Sequence, residues 1–189
     1  MIKIGILGAI GSGKSYVARN FGYPVFNADE EVAKLYKTDR KLYSKLKSLL
    51  PGYFYSFPIE KRKVLEAILA NKANLKKIIK LVHKEIKKKL RLFIKKNANK
   101  KMVILDIPLL LENKLNKKKD ILIFVDSKRS DILIKLKKRS NFHSKLFKKF
   151  KNIQYSTSYK KKKSHFIIKN NFTKKSVKKS VKNILNKIL

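Results

Sequence analysis

One eight-residue segment constrains this chain more than anything else in it. Gly8-Ala9-Ile10-Gly11-Ser12-Gly13-Lys14-Ser15 fits G-x-x-x-x-G-K-[ST] without a mismatch. It follows a short apolar run, residues 2–7 (IKIGIL), that reads as a buried strand, and it enters a pattern that predicts a helix from Ser15 to Phe21. Glycines at these places let the backbone turn several N–H groups inward on one anion, and the helix that follows adds the positive end of its dipole. The motif assigns Gly8, Ala9, Ile10, Gly11, Ser12, Gly13, Lys14 and Ser15 to nucleotide phosphates. Lys14 would reach the β- and γ-phosphates and the Ser15 hydroxyl would hold Mg²⁺. The competing reading is an ordinary glycine-rich turn between a strand and a helix.

Beyond the loop, Tyr23-Pro24-Val25-Phe26 resumes an extended pattern and ends at Asn27-Ala28-Asp29. Residues 30–99 are helical in pattern, broken at Pro51-Gly52 and near Pro58. Within them Leu75, Ile78, Ile79, Val82, Ile86, Leu90 and Phe93 keep the three-and-four spacing of one apolar helix face. Met102 to Leu105 and Ile121 to Val125 read as two more buried strands, each followed by an aspartate, Asp106 and Asp126. A helix is expected over about 128–139, a polar Lys-rich stretch over 140–163, a last strand over 165–168 and a basic helix over 173–188.

Strands alternating with helices predict an α/β fold. We expect a P-loop kinase-like three-layer fold on a mostly parallel five-stranded sheet, with an inserted helical lobe and a helical lid. The 189 residues make one domain: a core of 1–29, 100–139 and 164–189, a substrate lobe of 30–99, and a lid of 140–163. Ligands of such sheets sit beyond the carboxyl ends of the strands, and Gly8, Asp29 and Asp106 all follow strand ends.

Composition removes several alternatives. There is no cysteine, which excludes a disulfide framework, a thiolate metal site and a cysteine nucleophile, and three scattered histidines make poor zinc ligands. No apolar run approaches the ~20 residues that cross a bilayer, and the first residues read as a cytoplasmic start rather than a signal peptide. The charge is extreme, 50 Lys+Arg against 12 Asp+Glu for a net +38. Such a value is ordinarily the footprint of a nucleic-acid binder. Here 44 of the 50 basic residues are Lys, beside 21 Ile and 14 Asn, and these three residues share A/T-rich codons. The lysines are also spread along the whole chain. Both facts favour compositional drift, with nonspecific attraction to polyanions at low salt as its by-product.

A phosphate loop alone does not choose between kinase, GTPase and ATPase motor. The guanine-specifying N-K-x-D is absent, and a motor needs more chain. What remains is a small-molecule kinase using ATP and Mg²⁺, in which a carboxylate meets the acceptor hydroxyl and a basic lid neutralises the transferring group. Asp29 is the candidate base, against the alternative that it caps the helix after it. Asp106 is the candidate for Mg²⁺, against that of a solvated strand end. Arg139 suits a phosphate fork or, alternatively, a favourable charge at a helix C-terminus. His83 lies beside the apolar stripe, where a lone histidine is ordinarily a packing residue.

In order along the chain, these pieces resemble the dephospho-CoA kinase family. The loop is similar to its G-G-I-G-S-G-K-S, and Phe26-Asn27-Ala28-Asp29 to its I-D-A-D. Leu81-Val82-His83 looks like the start of its L-L-H-P, Ile107-Pro108-Leu109-Leu110-Leu111-Glu112-Asn113 its V-P-L-L-x-E-N/S, and Ile167-Ile168-Lys169-Asn170-Asn171 its V-I-D-N-N. The resemblance implies phosphorylation of the 3′-hydroxyl of dephospho-CoA, and we expect a monomeric or weakly associated cytoplasmic protein that uses no membrane and no specific nucleic acid. It implies Asp29 as catalytic base and gives His83, Pro108 and Glu112 a substrate-side role. Another nucleoside or nucleotide kinase and a nucleic-acid-binding P-loop ATPase are the rival expectations. The chain departs from the pattern at Asn27, Lys84, Lys135, Ser140, His165, Lys169 and Phe172, mostly by loss of an acid or by lysine in place of arginine.

Overall fold

Five apolar runs of three to seven residues form the five strands, and all neighbouring strands pair in parallel. In the computed structural model, which describes residues 1–138 and 142–189, β1 (Ile2–Gly8), β2 (Val25–Asn27), β3 (Met102–Asp106), β4 (Ile121–Asp126) and β5 (Phe166–Lys169) lie in the order β2-β3-β1-β4-β5. Parallel strands need long crossovers, and helices supply three of the four, the link of residues 107–120 from β3 to β4 running through turns instead. The crossover helices are α1 (Lys14–Arg19), α2 (Ala28–Thr38), α3 (Arg40–Leu49), α4 (Lys61–Ala70), α5 (Lys72–Lys96), α6 (Arg129–Lys137), α7 (Ser144–Ile153) and α8 (Thr157–Lys163), and α9 (Lys174–Ile188) follows the last strand.

The chain divides into two compact units, Met1–Asn27 with Lys96–Leu189, and Ala28–Lys95. The first holds the whole sheet. Alternate residues of its strands point to opposite faces. Ile4, Ile6, Ile104, Ile123 and Ile168 pack with Val17, Ala18 and Phe21 of α1 and with Val177, Val181 and Ile184 of α9. On the other face Gly5 leaves room where a Cβ would strike the Leu110 and Leu122 side chains. Leu110, 1% exposed, is thereby sealed against β1. Helix α8 also packs on this side of the first unit, against β1 and β4.

The second unit is all helix. In α5 the expected stripe is buried at Leu75, Ile78, Val82, Ile86 and Leu90, while Ile79 and Phe93 are only partly covered. The α3 helix is capped by the Asp39 carboxylate, which accepts from the Leu42 amide at 2.8 Å. No described helix is long and apolar enough to cross a membrane.

Candidate active site

The parallel order brings the loops that leave β1, β3, β4 and β5 to one end of the sheet. The loop after β1 owes its shape to glycine. Gly8, Gly11 and Gly13 have φ of 153°, 85° and 87°, the left-handed side of the map. At Gly13 a Cβ would run into the Asn170 side-chain amide, and at Gly8 it would lie 2.6 Å from Ser12 Oγ and 2.8 Å from the Val125 carbonyl. The neighbouring loops brace this turn by donating to one carbonyl. Asn170 Nδ2, after β5, and Ser127 Oγ, after β4, both donate to Ser12 O, at 2.8 and 3.0 Å. The Lys14 ammonium donates to Ala9 O at 2.8 Å and Gly8 O at 3.3 Å, over the rim of its own loop. Ser12 Oγ is wholly buried without a hydrogen-bond partner among the described residues. A cradle that a Cβ would fill, an orphan hydroxyl and an ammonium at its edge together fit an oxyanion.

Asp106 ends β3 and is 3% exposed, so it is not a solvated strand end. Asn27, which ends β2 in register with it, donates from Nδ2 to Asp106 Oδ2 at 3.1 Å. An aspartate at position 27 would set two carboxylates against each other there. The asparagine instead orients one carboxylate and adds no charge. Asp106, and Ser15 in the first turn of α1, each offer the oxygen donors that Mg²⁺ takes. Among the described residues no group of three or more His, Asp or Glu gathers to hold a metal unaided. A hard cation here would therefore take its remaining ligands from phosphate and water.

The loop of residues 107–115 leaves β3 beside the phosphate loop. Pro108 is partly buried, and Glu112 accepts from Lys160 Nζ at 2.8 Å and from the Tyr155 amide at 2.8 Å. The second unit carries the other two candidates. Asp29 is exposed in the first turn of α2, one residue inside the helix, where it favours the helix pole with Glu30 and Glu31. His83 is half-buried on α5, and burial, aided by the Lys87 charge, lowers its pKa below the ordinary 6.5. Arg139 lies outside the described residues. Sequence reading missed Ser127, Lys160 and the bracing role of Asn170. A serine after a strand or one lysine in a run of four carries no local signal.

A glycine phosphate loop on a five-stranded parallel sheet, with a buried aspartate ending the adjacent strand, defines a phosphate-loop nucleotide-binding fold. The family model described as dephospho-CoA kinase matches residues 2–176, and the chain belongs to that family. The dephospho-CoA kinase of Wolbachia pipientis wMel is 33% identical over 190 residues, covering 98% of this chain and 97% of that one. Among solved structures, TT1252 from Thermus thermophilus superposes with a TM-score of 0.76 at 24% identity, covering 100% of this chain and 98% of the other. A dephospho-CoA kinase from Campylobacter jejuni superposes with a TM-score of 0.65 at 19% identity, covering 98% and 96%. Both solved structures support the fold expected from the sequence.

Proposed function

We propose that the protein transfers the γ-phosphoryl group of ATP to the 3′-hydroxyl of dephospho-CoA, giving coenzyme A and ADP. The observation that carries this reading is the family match over residues 2–176 on a chain whose phosphate loop is fully formed. Loop amides, the Ser12 hydroxyl and Lys14 hold the phosphates, with the Lys14 ammonium exchanging its two carbonyls for phosphate oxygens. Ser15 and Asp106 would hold Mg²⁺, which supplies neutralisation of charge on the phosphate oxygens. Asn27 keeps the Asp106 carboxylate turned for that task.

On the acceptor side, Asp29 takes the hydroxyl proton as the 3′-oxygen forms its bond to phosphorus. The bond from phosphorus to the bridging oxygen breaks, and ADP leaves with that electron pair. His83, Pro108 and Glu112 serve the dephospho-CoA side, and Arg139 with lysines of the 140–163 lid stabilises charge on the group in transit. The core and lobe divide these tasks as the sequence segments do, 1–29, 100–139 and 164–189 for nucleotide and 30–99 for acceptor. In this reading the enzyme is a cytoplasmic monomer, and nucleic acid binds it only nonspecifically at low salt.

The test is incubation with Mg·ATP and dephospho-CoA, beside Asp29→Asn and a panel of nucleosides, with product read by mass. CoA from the wild type, with at least a hundredfold loss in Asp29→Asn, is the expected result. Phosphorylation of a nucleoside instead, or ATP hydrolysis driven by DNA or RNA at physiological salt, would overturn it.

A further inference from the structure

The stretch of residues 160–163 is four consecutive lysines, and composition alone treats them as equivalent. The structure does not. Lys162 and Lys163 are exposed, whereas Lys160 is 4% exposed and its ammonium sits 2.8 Å from Glu112 Oε1. The same carboxylate oxygen accepts from the Tyr155 amide at 2.8 Å, just before α8 begins. Glu112 Oε2 is buried with no hydrogen-bond partner among the described residues. The next lysine, Lys161, meets Asp126 at the end of β4, at 2.7 Å. Only 12 acids serve 50 basic residues in this chain, and two of those acids hold adjacent lysines of one seven-residue helix.

Resting on the function proposed above, we propose that Lys160 is a positioning residue for phosphoryl transfer and that Glu112 acts through it. The pair anchors the Lys-rich segment to the loop of residues 107–115. That loop contains two non-glycine residues in the left-handed region, Leu109 at φ 59° and Lys114 at φ 50°. Such a backbone holds its shape only when its surroundings over-determine it. Within the loop the Asn113 side chain and amide both donate to Leu109 O, at 2.9 and 3.0 Å. The anchor from outside is Lys160. Glu112 therefore serves the acceptor side by fixing its own loop and the start of α8, because the accepting oxygen Oε1 is engaged twice within the protein.

The experiment compares Lys160→Met, Glu112→Gln, their double variant, Lys160→Arg and, as an exposed-lysine control outside the 140–163 segment, Lys178→Met on α9. Steady-state constants for ATP and dephospho-CoA are measured with backbone amide exchange at Tyr155. Lys160→Met and Glu112→Gln are expected to lower kcat by a similar factor, tenfold or more, with KM for dephospho-CoA changed less than threefold. The double variant should be no worse than the poorer single one, the signature of two groups acting as a unit. Lys160→Arg should recover most of the rate, and Lys178→Met should match wild type. Tyr155 exchange should rise at least tenfold in Lys160→Met. If that variant does not fold, the Lys160→Arg recovery set against Glu112→Gln carries the comparison. A raised dephospho-CoA KM in Glu112→Gln alone, with additive losses in the double variant, would mean that Glu112 touches the acceptor and would overturn the proposal. So would wild-type rate and exchange in Lys160→Met. A wild type that makes no CoA would refute the acceptor, while Tyr155 exchange would still decide the anchor.

Discussion

Two loops leave neighbouring strands of the same sheet and hold their shapes by opposite means. The loop after β1 places glycines at its left-handed positions and is braced through one carbonyl, Ser12 O. The loop after β3 has no glycine between Ile107 and Leu115, puts Leu109 and Lys114 in the left-handed region, and is tied down by a charged pair with a helix. A loop that must wrap an anion needs its N–H groups free and its side chains out of the way, so glycine is the economical solution. A loop that instead presents side chains cannot drop its Cβ atoms. Its strain must be balanced by contacts made elsewhere.

The largest effect should come from the first loop's charge. Lys14→Ala is expected to lower kcat by about 10²–10³-fold, the usual loss when one transition-state donor is removed. The exposed Lys162→Ala should change it by less than about threefold. Equal losses in a steady-state assay would erase the contrast between loop lysine and surface lysine.

Next is Gly13→Ala, where a new Cβ meets the Asn170 amide at a φ of 87°. The expected cost is about 2–3 kcal/mol in denaturant unfolding, from left-handed strain together with the lost Asn170 brace. The reverse exchange in the second loop sharpens the comparison. Lys114 is exposed at φ 50°, so Lys114→Gly relieves left-handed strain. Part of that relief is offset by the added freedom of the unfolded chain, leaving a gain of about 0.5 kcal/mol. A loss of stability there would show that the second loop is not strained.

The smallest effect lies outside both loops. Because burial lowers the His83 pKa, the unfolded chain binds the proton more tightly than the folded one. Stability is therefore lost as the pH falls through the ordinary value of 6.5 toward the lower folded value, and is unaffected above it. His83→Gln should flatten the slope of unfolding free energy between pH 7 and 5. An unchanged slope would assign it to other groups.

How much of this was legible beforehand follows the range of each interaction. The phosphate loop, the apolar strand runs and the stripe of α5 are local patterns, since glycine's dihedral freedom and the periods of strand and helix act within a few residues. They were sufficient for the α/β fold, the parallel sheet and the glycine loop after β1. The family pattern extended this to Glu112 as a residue of interest, without its partner. Only the strand order β2-β3-β1-β4-β5 decided that Asn27 meets Asp106 across 79 positions, that Asn170 braces Ser12 across 158, and that one lysine among four is buried against Glu112. Polar groups pair in three dimensions to escape the cost of unpartnered burial. In a chain with 44 lysines among 189 residues, residue type alone does not mark which one is buried.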